Sequence, residues 1–126
     1  MDREILFRGK PIDEGGWVEG YFACVYIDRP ATSKIYSPKD VWTYDVSTET
    51  IGQYTGLNDR KGNKIFEGDI VKITTRNVTR IVKYISHRMC FAFVHPKNGI
   101  FGFEISDNVE VIGNIYDNPE LLEVTE

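Results

Sequence analysis

The three-to-four spacing of apolar residues that marks an amphipathic helix is almost absent from this chain. Apolar runs of strand length recur instead, divided by glycine and asparagine turns. Residues 4–7 read as a first strand, Asp13-Glu14-Gly15-Gly16 as a turn, and residues 17–26 as an aromatic-rich second strand, so the N-terminal part opens as a hairpin. Residues 28–39 are polar, contain Pro30 and Pro38, and read as a loop in which Ser37-Pro38 can start one helical turn. Residues 52–55 form a short strand and 58–63 an exposed turn. Ile65-Phe66 leads into a Glu67-Gly68-Asp69 corner, and residues 70–75 run on as a strand. Arg76-Asn77 turns the chain into 78–86. Asn98-Gly99, two residues that tolerate positive φ, predicts a type I′ turn joining 90–95 to 100–105. Residues 109–115 are the last strand, followed by Asn118-Pro119-Glu120-Leu121-Leu122 as one capped helical turn with proline at its first position.

Between Gly68 and Tyr116 this gives about five strands on short turns, which leaves no room for crossover helices and closes best as a small barrel. The run Gly-Asp-Ile-Val-Lys-Ile at 68–73 resembles the way SH3-like barrels begin, a likeness of topology that carries no function. The expectation is an all-β, single-domain protein over 1–126. Residues 1–50 supply a hairpin and loop that add strands to the side of a barrel-like part, 51–126. A chain of 126 residues buries roughly two-thirds of its unfolded surface, so its core needs no metal or disulfide staple. An apolar share of 41% against 27% charged argues for a globular fold over disorder.

The opening MDREILFRGK mixes acids with bases around the short run Ile5-Leu6-Phe7, too brief for the apolar centre of a signal peptide. No segment approaches the roughly 18 apolar residues of a membrane span. The expected location is the cytoplasm, away from membranes. Cys24 and Cys90 lie far apart without a CxxC spacing and read as two buried thiols in a reducing compartment.

Two constellations carry possible chemistry. Glu67 and Asp69, at i and i+2, share a face of an extended chain and could do acid–base work or hold a metal; equally, Gly68 supplies an unusual backbone angle and Asp69 bonds neighbouring amides. His87, Cys90 and His95 make an H-x2-C-x4-H cluster, but a structural zinc needs a fourth ligand, which only Cys24 or a distant carboxylate could provide. The glycine-rich loops match neither a Walker loop nor a dinucleotide fingerprint. The expectation is a protein that is not an enzyme, with no cofactor, no metal and no evident small-molecule substrate.

Charge is distributed unevenly. From Ile70 to Phe103 there is no acid, while Lys72, Arg76, Arg80, Lys83, Arg88 and Lys97 give that stretch +6. The remainder holds 9 basic and 19 acidic residues, and from Glu104 onward there are seven acids and no base, so a net charge of −4 conceals a basic centre. In one reading the basic strands pair with the acidic C-terminal segment, within the chain or across a subunit boundary. In the other, Lys72, Arg76, Arg80, Lys83 and Arg88 form a face for nucleic acid. Tyr84, Phe91 and Phe93 then add the stacking that single strands use, and the attraction fades with salt.

Three runs in order resemble the YopX family. They are Arg3-Glu4-Ile5 and Phe7-Arg8-Gly9-Lys10 with Gly16-Trp17-Val18-Glu19-Gly20; then Gly52-Gln53-Tyr54-Thr55-Gly56-Leu57, Asp59, Gly62 and Ile65-Phe66-Glu67-Gly68-Asp69-Ile70-Val71; then Val111-Ile112-Gly113-Asn114-Ile115-Tyr116 with Asn118-Pro119-Glu120-Leu121-Leu122. Residues 29–44 and 74–103 carry no part of the likeness. The resemblance implies a phage or prophage protein, chiefly of Gram-positive bacteria, mainly β, with a homo-oligomer known in at least one member and no assigned activity. No catalytic residue comes with it. The combined expectation is a non-catalytic, self-associating accessory protein; the alternative is a nucleic-acid-binding module.

Overall fold

A computed structural model describes residues 4–13, 15–26 and 32–123. Among them the chain is all-β: eleven strands, with short 3-10 helices between them. It divides into two compact units, Met1–Tyr54 and Thr55–Glu126.

The first unit is an antiparallel meander. Strands β1 (Phe7–Gly9), β2 (Val18–Tyr26), β3 (Thr32–Ser37) and β4 (Trp42–Ser47) lie in the order β4-β3-β2-β1, and Gly52 and Gln53, which open β5 (Gly52–Asn58), pair with β1. Its core is Val18, Ile35 and Val46, with Phe7, Tyr44 and Ile51 packed against them. Gly20 lets β2 and β3 approach closely: a Cβ there would sit 1.9 Å from the Tyr36 carbonyl oxygen.

Three expectations change here. The first strand begins at Phe7 rather than residue 4. The loop expected at 28–39 is a strand from Thr32 onward, so the expected hairpin, β1 with β2, is extended by β3 and β4 into a four-stranded meander. Ser33, Ile35 and Ser37 all face inward, and serines at two of those three positions hide the apolar alternation. Ser33 satisfies its buried hydroxyl against Thr48 Oγ1 at 2.9 Å. Residues 28–31 lie outside the described residues. Ser37-Pro38 starts no helical turn; residues 38–41 form the β3–β4 connection, where Val41 adopts φ +57°.

In the second unit the end of β5 pairs with β6 (Lys64–Phe66). Five further strands, β7 (Asp69–Ile73), β8 (Val78–Ile85), β9 (Cys90–Val94), β10 (Phe101–Gly102) and β11 (Val109–Asn114), form a curled antiparallel sheet in the order β10-β9-β8-β7-β11. A meander whose last strand returns to the far side of its first is the barrel-like arrangement expected from the sequence. Val71, Ile73, Val78, Val82 and Val109 line one face with Ile65, and Phe93 and Val111 pack against them. The register explains the selection, because Ile73 lies opposite Val78 and Val109, and Val82 opposite Phe93.

The corner before β7 is a structural device. Gly68 takes φ +93° and donates its N–H to the Val82 carbonyl at 2.8 Å, while its own carbonyl accepts from Ile115 at 2.9 Å. Asp69, 1% exposed, accepts the Phe66 N–H at 2.8 Å. Its placement matches the turn reading. At the same end of the sheet, opposite Asp69, Asn114 Oδ1 accepts from Tyr116 and Asp117, and Pro119–Glu123 follows as the expected proline-led helical turn.

Three further expectations are corrected. The strand expected at 100–105 shrinks to Phe101–Gly102. The Asn98-Gly99 turn is not type I′: only Gly99 has positive φ, and the loop is tied by His95 Nδ1, which accepts the N–H groups of Lys97 (3.1 Å) and Asn98 (3.2 Å). The turn at 58–63 is not uniformly exposed. Asp59 is 6% exposed and accepts N–H groups from Lys61 and Asn63, and its Oδ2 accepts that of Val111, all at 2.9 Å. Arg60 N–H donates to Val109 O, also at 2.9 Å, so this turn closes the outer edge of β11.

Candidate functional site

The antiparallel register separates the basic residues into two groups. Lys72 lies opposite Thr79 and Glu110, and Lys83 opposite Ala92, so both lysines occupy one face of the second unit's sheet. Arg80 lies opposite Val71 and belongs to the other face. Arg76 sits in the β7–β8 turn and Arg88 in the 3-10 helix Ser86–Arg88, its guanidinium 5.8 Å from the centre of the Phe101 ring. The five do not form one continuous surface.

Part of the acidic C-terminal segment is already matched to basic groups within this unit. Glu110 pairs with Lys61 at 2.8 Å, and the Lys61 ammonium, helped by Arg60 and Lys72, holds the Glu110 carboxyl below its usual range. Glu104 Oε1 lies 3.9 Å from Arg76 Nη2, while its Oε2 accepts from Asn108 Nδ2 at 2.8 Å. Of these two contacts only Glu104 with Arg76 joins the acidic segment to the basic stretch read from the sequence, within the chain; Lys61 lies outside that stretch.

A groove of about 250 Å³ is lined by Arg76, Arg80, Phe93, Phe101 and Phe103, with the His95–Gly102 loop at its rim. Arg80 is half-buried and directs Nη1 to the Thr79 carbonyl at 2.8 Å. Phe101 and Phe103 meet edge to face, 6.1 Å between centres, and Phe103 is 57% exposed. Tyr84 and Phe91, singled out in the sequence as stacking candidates, pack on each other at 5.2 Å further along the hairpin. Phe101 and Phe103 were not so marked. Their only local signal is two aromatics flanking Gly102, and only the folded chain gathers them with Arg76 and Arg80 in one groove.

The three possible metal ligands have separate occupations. His87 packs edge to face on Phe101 at 6.2 Å, His95 holds its turn, and Cys90 is a half-buried free thiol on β9. The side chain of Cys24 lies outside the described residues.

The sheet's two edges differ. At β11 the backbone is closed by Asp59 and Arg60. Among the described residues no strand pairs beyond β10, whose neighbours Ile100, Phe103 and Ile105 are 57–69% exposed. No helix among the described residues is long and apolar enough to cross a membrane.

Comparison with known proteins places these features in a family. A search of curated proteins finds no match. Among solved structures the chain is similar to protein EF1440 from Enterococcus faecalis, with a TM-score of 0.59 and 24% identity over 96% of this chain and 99% of that one, a likeness of fold. The YopX protein family model matches residues 7–123, nearly the whole chain and spanning both units. The chain belongs to the YopX family.

Proposed function

We propose that this is a non-catalytic accessory protein of phages or prophages, acting in the bacterial cytoplasm by binding and associating with copies of itself. The phage setting rests on the family. The mode of action rests on one observation: among the described residues no strand pairs beyond β10 while the β11 edge is closed, and exposed apolar residues flank β10. An uncovered strand with apolar neighbours is a template for pairing between identical molecules. The commitment of Asp59 and Asp69 to backbone amides supports a non-catalytic reading of the acidic turns. Light scattering at micromolar concentration tests the idea. A defined oligomer is expected, and Ile105→Glu shifts it toward monomer with an unchanged circular dichroism spectrum. A wild-type monomer at every concentration overturns it.

The groove favours a second reading, a nucleic-acid-binding module. Arg76 and Arg80 would carry the contact there, with Arg88 nearby over Phe101; Lys72 faces Glu110 instead. A gel shift at low and high salt tests it, and no retardation even at low salt removes it.

A further inference from the structure

The groove combines two arginines with two neighbouring phenyl rings, one of them open to solvent. A guanidinium fork matches phosphate geometry, and an exposed ring offers a π-face to a base. Bases inside a duplex keep their faces covered by their neighbours, so such a surface suits an unpaired strand. The volume of about 250 Å³ falls below the roughly 300–1,000 Å³ of pockets that enclose drug-sized ligands, and it suits a single base-and-phosphate unit of a longer polymer.

Glu104 adds a second element. Its carboxylate lies 3.9 Å from Arg76, too long for a tight hydrogen-bonded pair, and is tethered independently by Asn108 at 2.8 Å. Arg76 can therefore exchange this carboxylate for another anion while Glu104, only 20% exposed, keeps a partner. Resting on the second reading above, we infer that the groove seats one nucleotide of a single-stranded nucleic acid, phosphate on Arg76 and Arg80 and base against Phe101 and Phe103, with Glu104 as the anion displaced from Arg76.

Fluorescence anisotropy with a labelled single-stranded oligonucleotide tests this, with its duplex form and heparin as comparisons. The wild type binds the single strand more tightly than the duplex or heparin, and binding weakens as salt rises. Phe103→Ala and Arg80→Gln each lower affinity roughly tenfold. Arg80→Lys, which keeps the charge and packing stem but loses the fork, lowers it less; it also serves if Arg80→Gln does not fold. Glu104→Gln raises affinity several-fold. Binding that Phe103→Ala and Arg80→Lys leave untouched, or equal affinity for duplex or heparin, removes the groove from the account while nucleic-acid binding itself stands. Absence of binding to any nucleic acid at low salt overturns both. An unchanged affinity in Glu104→Gln overturns the displacement.

Discussion

Asp59 holds its charge beneath backbone amides. Burial, the largest single influence, pushes its carboxyl up. Hydrogen bonds from the N–H groups of Val111, Asn63 and Lys61, joined by the Asn63 side chain, outweigh burial and hold the carboxyl below its ordinary value of 3.8. A folded-state value lower than the unfolded one adds stability that is fully present above the unfolded value. It is lost as pH falls through the folded value. Asp59→Ala is expected to lower unfolding free energy by about 2 kcal/mol at neutral pH, because three part-buried backbone amides lose their acceptor. In urea titrations the gap to wild type should narrow below pH 3.8. A gap that stays constant into acid would mean the carboxylate's charge is not what matters. Little of this was legible in the chain itself. Asp59 stands among turn residues and reads as solvated, and nothing local announces a donor 52 residues away.

Among the strands, those whose inward positions are apolar were the readable ones. Ile70, Val71 and Ile73, or Val78, Ile81 and Val82, mark their segments without help. Strand β3 was not readable, since its inward side is Ser33, Ile35 and Ser37 and its neighbours are prolines. Only pairing on both sides fixes it, a tertiary effect that overrides local preference. That pairing rests on Gly20. Gly20→Ala drives a methyl group into the Tyr36 carbonyl, and the expected loss is about 3 kcal/mol or more, read by the fluorescence of Trp17 and Trp42, both in the first unit. Gly16→Ala is the control. Beyond its chain neighbours a Cβ there would meet nothing within 4 Å, and its stability should match wild type. Equal effects from the two would refute the close approach.

For the molecule as a whole, the arrangement of charge matters more than its sum. The −4 total and the basic stretch were legible by counting, but the groove was not, because Arg76 and Phe103, 27 positions apart in the chain, come to line one groove only in the folded unit. Neutralising Glu104 and Glu110 together gives a net charge of −2, as does neutralising Asp107 and Glu123. Only the first pair lies against basic side chains. The Glu104→Gln/Glu110→Gln variant should therefore be retained longer on a cation exchanger at neutral pH than Asp107→Asn/Glu123→Gln. Equal retention would show that net charge alone governs adsorption. The Asp59–Arg60 closure of β11 has a consequence for growth. Indefinite lengthening of a sheet across molecules requires each subunit to offer a free strand on both sides, one to receive and one to give. Here one side of the five-stranded sheet is already occupied by the chain's own turn. The self-association proposed above would, along this sheet, stop once two copies had joined edge to edge, leaving a finite pair and no route to a fibre.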